Sequence, residues 1–355
     1  MRRQDTADDP HGDWTAAVVN PLASRLSVVL LTYNCAHRLP AILDRLVGLG
    51  LPVIAVDNAS TDGTAAVLSA CPGVQLVPMA RNIGAAGRNV GLQHAQTPFV
   101  AFCDDDGWYE PDGLAGAVEL FDRHDRLALV NARILVKQQA YLDPISVEMA
   151  ASPLPETAGI PGPVLLSFMG GACLVRAAAY LEVGGYDPEF FLGGEEETLA
   201  FKLARAGWQM RYFPDLVMHH YPSVANAPRL RAFGMRNTLW NAWIHRRFRS
   251  AVRYTLFILA DTPKNQDWIK GLVMTIRGIP WVLRRRDPLP PDLDAALTVL
   301  ERRRSRRRLF TFRDPIHAIA RQNSPPSGHS HRVLQWPLAL CDAAGSTSGR
   351  SRSAR

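Results

Sequence analysis

The chain has 355 residues but only five cysteines, at positions 35, 71, 103, 173 and 341, an odd number with no CxxC pair. That spacing excludes a disulfide framework and a zinc ribbon, and it points to a reduced, cytosolic compartment. Long apolar runs are missing too. No window reaches the roughly 20 apolar residues that a bilayer-spanning helix requires. The nearest, Tyr254–Ala260 and Leu272–Leu283, are short and are interrupted or flanked by charge. The opening MRRQDTADDPHGDW has no apolar core after its arginines, so it does not read as a secretory leader. Membrane contact, if the protein makes it, is expected to be peripheral, at the inner face.

What is present is an ordinary globular composition, 47% hydrophobic and 21% charged. The net charge of +7 is unevenly placed: Arg229–Arg313 holds 20 Lys/Arg against 6 Asp/Glu, an excess of +14, which leaves −7 for the remainder. An acidic body is joined to a basic segment. From Leu26 onward, short β-branched runs (SVVLLTY, VIAVD, VQLVP, PFVAFC) alternate with helical periodicity. Buried parallel strands and amphipathic return helices have this texture. Gln138–Pro163, with five prolines, reads as a long surface loop, and a strand QMRYF is expected to end at Pro214. Helices are predicted over Arg229–Arg249, Ala251–Ala260, Trp268–Leu283 and Asp292–Arg308.

Three polar signatures fall at the carboxyl ends of the predicted strands, where open α/β sheets bind ligands: Thr32-Tyr33-Asn34, Asp57-Asn58 and Asp104-Asp105-Asp106. Three consecutive carboxylates repel one another, and a divalent cation with oxygen ligands is the natural compensation. The loop Arg81–Asn89 offers small residues, a helix start and a guanidinium to an anion, and it matches neither GxGxxG nor GxxxxGK[ST]. Gly193-Gly194 precede three glutamates at a helix start, where a carboxylate in a cleft has the chemistry of a general base.

Together LLTYN, VDNASTDGT, RNIGAAGRNVGL, FCDDD, GGACLVR, VGGYDPEFF, GEEETLAFKLARAGW and PDLVMHH resemble the family 2 glycosyltransferases, over about Leu26 to His220. The likeness is strongest to their rhamnosyl- and galactofuranosyl-transferase-like branch. The resemblance implies an α/β GT-A fold, a Rossmann-like open and mostly parallel sheet flanked by helices, with a helical basic C-terminal appendage. With the charge and composition shifts along the chain, it divides the sequence into a flexible N-terminus (1–24), the transferase domain (25–228), the basic segment (229–313) and a disordered tail (314–355).

It also implies roles. Asp57 contacts the nucleotide base or ribose with Thr32 beside it, and Arg88 and Asn89 line the nucleotide pocket. Asp104 and Asp106 hold Mg2+ or Mn2+ against the diphosphate, and Asp105 orients the sugar or the loop. Glu196 is the catalytic base, with Glu197 as its rival, and Glu195 lies next to the acceptor. His219 completes the metal site, with His220 as its rival. The implied reaction is inverting transfer from a UDP- or dTDP-sugar to a saccharide or lipid-linked acceptor, as in cell-wall or polysaccharide biosynthesis.

Two other readings stand beside this one. A sugar nucleotidyltransferase would carry a glycine-rich, Arg/Lys-containing loop after the first strand, which TYNCAHRLP lacks. A non-catalytic scaffold would work through the basic segment, whose interleaved Trp and Arg suit anionic headgroups. No nucleic-acid-reading motif accompanies that charge.

Overall fold

Continuous β-branched runs become strands buried on both faces, and the helices between them return the chain. The computed structural model describes residues 20–137, 140–156, 159–222 and 227–307. Within them the strands are β1 (Leu26–Thr32), β2 (Val53–Asp57), β3 (Val74–Pro78), β4 (Phe99–Asp104), β5 (Gly107–Tyr109), β6 (Leu127–Val136), β7 (Tyr141–Leu142), β8 (Ala172–Arg176) and β9 (Gln209–His220). The helices of the first part are α1 (Leu39–Val47), α2 (Thr64–Ala70), α3 (Gly87–His94), α4 (Asp112–Arg123), α5 (Pro144–Ala150), α6 (Ala177–Glu182) and α7 (Glu195–Arg205). Then follow α8 (Ala227–His245), α9 (Phe248–Asp261), α10 (Gln266–Arg277), α11 (Ile279–Arg284) and α12 (Pro291–Arg307).

The sheet order is β3-β2-β1-β4-β8-β6-β9-β5, with β7 on the edge of β6. The pairings make β1 to β4, β6 and β9 run one way, while β5, β7 and β8 oppose them. Strand alternation feeds two cores. Val28 and Leu30 face α1 and α4, whereas Val29 faces α3, α6 and α7. In α1, Leu39, Ile42, Leu43 and Leu46 repeat at the helical period and are all buried, and Pro40 sits in the first turn.

The sequence expectations need correction at three places. The stretch 138–163 contains β7 and α5, and Met149 and Leu154 are buried in the second core. The strand predicted to stop at Pro214 continues to His220. Its register with β6 jumps from Ala132–Phe213 to Arg133–Val217, so Pro214 sits in an irregularity where no ladder N–H is required. The helix expected over Trp268–Leu283 divides at Gly278, next to Pro280. The helical basic segment is present as expected, and its Leu289 and Leu297 join the second core. The tail from residue 314 and all of 1–24 except Asn20–Ser24 lie outside the described residues.

Helix α3 approaches the sheet closely because Gly91 has no side chain. A Cβ there would lie 2.3 Å from Val29 Cγ1 and 3.0 Å from Val56 Cγ2. This approach lowers the first turn of α3 onto the ends of β1 and β2. Gly91→Val should therefore lower the unfolding free energy by about 1–3 kcal/mol in urea titrations. Unchanged stability would contradict the close packing.

Candidate active site

Parallel register lines up the first group of polar residues. Thr32 pairs with Asp57 across β1 and β2, and Leu31 pairs with Asp104 across β1 and β4. Thr32 and Asp57 thus stand side by side at the carboxyl ends of adjacent strands, and Asp104, in register with Leu31, ends the next strand with its side chain on the other face, toward Arg88 of α3, at the place where the strand order reverses and open α/β sheets bind ligands. Asp57 is buried, accepting from the Ser60 backbone N–H at 3.3 Å and from the Ser60 hydroxyl. The Thr32 hydroxyl donates to Val56 O at 3.2 Å.

The three aspartates of the triplet diverge. Asp104 meets the guanidinium of Arg88. Asp105 turns the other way, accepting from Arg38 at 2.5 Å and from the Tyr33 backbone N–H at 3.2 Å. Burial pushes its carboxyl up, and the Arg38 charge acts against that. Asp105 thereby ties the loop after β1 to the end of β4. Asp106 faces His220, whose Nε2 is 3.5 Å from Oδ1, a buried oxygen with no hydrogen-bond partner.

His219, expected at the metal, points elsewhere. Its Nε2 lies 2.7 Å from Glu110 Oε1, and its ring stacks on Trp108. Neighbouring residues of a strand face opposite sides, so only one of the two histidines can meet the triplet. Pairing of Gly107 with His220 selects the second. Asn89 is likewise occupied. Its Nδ2 donates to Tyr186 O at 2.8 Å, and its Oδ1 accepts from the Tyr180 hydroxyl and the Tyr186 N–H. The nucleotide contact expected of Asn89 is thereby replaced by one to the loop before α7.

Arg88 is only 3% exposed. Its Nη2 donates to Asp104, its guanidinium lies over the Tyr186 ring, and Nε and Nη1 have no acceptor among the described residues. Glu195 and Glu196 share its field. Three carboxylates around one guanidinium leave a surplus of negative charge. Burial first, then the Glu196 charge, pushes Glu195 well above the usual carboxylate range. Burial also raises Glu196, which accepts weakly from the Gly170 N–H at 3.4 Å. Glu197 lies instead in the field of Arg246, just after α8.

The loop presenting these glutamates is held by residues that sequence reading missed. Gly193 and Gly194 take φ of +87° and +88°, which only glycine adopts without strain. Asn237 Nδ2, on α8, reaches the carbonyls of Phe190, Leu192 and Gly193 at 2.8, 3.2 and 2.7 Å. Asn241 donates to Gly194 O at 2.8 Å and accepts from the Thr198 hydroxyl. Both asparagines are buried. An Asn-x-x-x-Asn pair, one helical turn apart, is the only trace of this in the sequence.

A divalent ion fits part of this arrangement. Among the described residues no group of three or more His, Cys, Asp or Glu gathers tightly enough to be a complete metal site. Mg2+ and Mn2+, however, are commonly held by one or two protein ligands plus substrate phosphates. The orphaned Oδ1 of Asp106 facing His220 offers such an incomplete set, whereas one oxygen of Asp104 is committed to Arg88.

Residues 27–184 match the model described as glycosyl transferase family 2, a span ending short of α7. An N-acetylglucosaminyl-diphospho-decaprenol L-rhamnosyltransferase of Mycobacterium tuberculosis is 27% identical over 239 residues, covering 55% of this chain and 76% of that protein. A pre-mycofactocin glycosyltransferase of the same organism is 31% identical over 209 residues, covering 55% of this chain and 42% of its own length. Among solved structures, a mannosyltransferase of Pyrobaculum calidifontis, PcManGT, in complex with GDP-Man and Mn2+, aligns with a TM-score of 0.51 at 20% identity. It covers 84% of this chain and 79% of its own. Residues 1–349 of S. aureus TarS also align with a TM-score of 0.51, at 18% identity, over 74% of this chain and 83% of that one. At these identities the likeness is one of fold, the GT-A arrangement.

Glu195 gives a direct test of the buried charge. Its raised pKa means that the folded chain binds more protons than the unfolded one, from the ordinary glutamate value of 4.5 upward. Stability present below that value is therefore lost as pH rises through the window. Glu195→Gln, which cannot ionise, should melt higher than the parent at pH 7 and no higher at pH 4. Equal melting temperatures at pH 7 would contradict the buried surplus of charge.

Proposed function

Because this chain is a glycosyltransferase, its family 2 domain occupying residues 27–184, we propose that it moves a sugar from a nucleotide diphosphate sugar to an acceptor hydroxyl by a single, inverting displacement. The observation that carries this reading is the row of Thr32, Asp57 and Asp104 at the strand ends with Glu196 opposite, across Arg88. In this reading 25–228 performs the chemistry and 229–313 supports it. A UDP- or dTDP-sugar is the donor. A lipid-linked saccharide is the acceptor, a choice supported by the diphospho-decaprenol in the name of the mycobacterial rhamnosyltransferase. Such an acceptor places the enzyme against an anionic membrane. Among the described residues, no helix is long and apolar enough to cross one.

Asp57 and Thr32 receive the nucleoside at the ends of β1 and β2. Asp104, fixed by Arg88, borders the sugar and diphosphate. Asp106 and His220 would hold Mg2+ or Mn2+, and the ion would supply neutralisation of the negative charge that develops on the departing diphosphate. Glu196 takes the proton of the acceptor hydroxyl as its oxygen attacks the anomeric carbon from the face opposite the leaving group. One carboxylate suffices because the diphosphate leaves without a general acid, unlike the alcohol in glycoside hydrolysis. A carboxyl raised by burial is a stronger proton acceptor than a solvated one, which suits Glu196 to this task. Glu197, turned toward Arg246, is the weaker candidate.

Glu196→Gln should reduce transfer by about 10²–10⁴-fold while leaving nucleotide binding intact, and Glu197→Gln should leave transfer near that of the parent. Asp106→Ala should instead weaken Mn2+-dependent nucleotide binding, read by calorimetry. The parent's transfer rate should fall on acidification from a pH above 4.5, the ordinary glutamate value, as Glu196 takes up its proton. Full activity in Glu196→Gln would remove it as the base.

A further inference from the structure

One face of the α10–α11 rod is locked onto α8. A Cβ at Gly271 would lie 3.0 Å from Ala232 O and 3.1 Å from Met235 Sδ, and one at Gly278 would lie 2.1 Å from the Trp240 ring. Leu272 and Trp268 complete this inner face in the small core of Met235, Leu239 and Ile258. Gly278 keeps right-handed helical dihedrals between the two helices, and its N–H donates to Met274 O and Thr275 O, so the rod is nearly continuous.

The opposite face follows from that lock. Ile269, Val273, Ile276, Ile279 and Leu283 recur at spacings of three and four and are 40–58% exposed. Nothing in the core uses them. Lys270, Arg277 and Arg284 follow at intervals of seven, nearly two helical turns, so they line one edge of the stripe. All three are exposed and make no ion pair among the described residues, whereas Arg285 is bound to Asp187 and Arg286 to the carbonyls of Trp243 and Arg246. Asp267, in the first turn of α10, is the only acidic residue of the rod. Single exposed apolar residues are commonplace, but five aligned beside a row of three unpaired cations are not.

We propose that this face of α10–α11 is a docking surface for an anionic lipid bilayer, with the five apolar side chains entering the headgroup boundary and the three cations pairing with lipid phosphates. The combination of an apolar stripe and a flanking cationic row is that of an interfacial helix. A protein partner would need acidic groups spaced to meet all three cations, whereas a bilayer supplies mobile ones at any spacing. The proposal draws its purpose from the lipid-linked acceptor proposed above. Its test does not depend on that reading.

The test is co-sedimentation of the full-length chain with phosphatidylcholine vesicles, with or without phosphatidylglycerol. The parent should bind only the anionic vesicles and be released by high salt. The triple variant Ile269→Ser, Ile276→Ser, Leu283→Ser should lose at least ~10-fold in partitioning at an unchanged melting temperature. Lys270→Glu with Arg277→Glu provides a second, charge-only test and should abolish the preference for anionic vesicles. Absence of binding by the parent would overturn the proposal. So would equal binding by the triple variant, which would place adhesion elsewhere, for instance on the arginine run 302–308. A parent dimer that the triple variant dissociates, without vesicle binding, would identify a second copy of the chain as the occupant and also overturn it. Mn2+-dependent nucleotide binding should be the same in all variants, so failure here is distinguishable from failure of the transferase reading.

Discussion

A guanidinium removed from water must be met by anions and acceptors, and around Arg88 that requirement organises the candidate site. Its charge fixes Asp104 at the end of β4 and is shared with Glu195 and Glu196 on α7, so it joins the end of that strand to the start of that helix. Arg88 reaches this position because α3 begins directly above the ends of β1 and β2, and α3 can descend that far because Gly91 leaves room for Val29. The same burial that costs the arginine its hydration raises the two glutamates. Close packing of a helix on a sheet thus gathers raised carboxyls around one buried guanidinium.

The second dependence runs through α8. Two left-handed glycines give the Gly193-Gly194 turn its shape, but glycines alone leave a turn free to move. Asn237 and Asn241 take up the carbonyls of that turn, and Thr198 closes the network. Each such bond contributes about 1 kcal/mol, and leaving the buried groups unpaired would cost about 1–3 kcal/mol apiece. The basic segment therefore contributes to the geometry of Glu196, besides presenting α10–α11 outward. The charge imbalance along the chain corresponds to two surfaces: carboxylates gathered at a crevice, and cations gathered on helices behind it.

Much of this was legible in the residues. Buried parallel strands announce themselves as β-branched runs, and their carboxyl ends carry Thr32, Asp57 and Asp104 on three adjacent strands. The helices from Ala227 on were readable from their periodicity. What was not legible depended on register and long-range contact. Nothing local says which of two adjacent histidines meets Asp106; the pairing of β5 with β9 decides it. Asn89 reads as a pocket residue from its motif, yet three hydrogen bonds commit it to Tyr180 and Tyr186. Pro214 reads as a strand end until the register jump in β9 is seen. The asparagines of α8 are silent in sequence because their partners are backbone carbonyls some forty residues away.

The central claim, that Arg88 and Asp104 act as one unit, is tested most directly by a double-mutant cycle on the urea unfolding free energy with Arg88→Met, Asp104→Asn and their combination. The structure predicts a coupling energy of at least about 1 kcal/mol, because each single change leaves a charge facing the site without its partner. Effects that add to within about 0.5 kcal/mol would show that the two residues do not depend on each other, and would contradict the account.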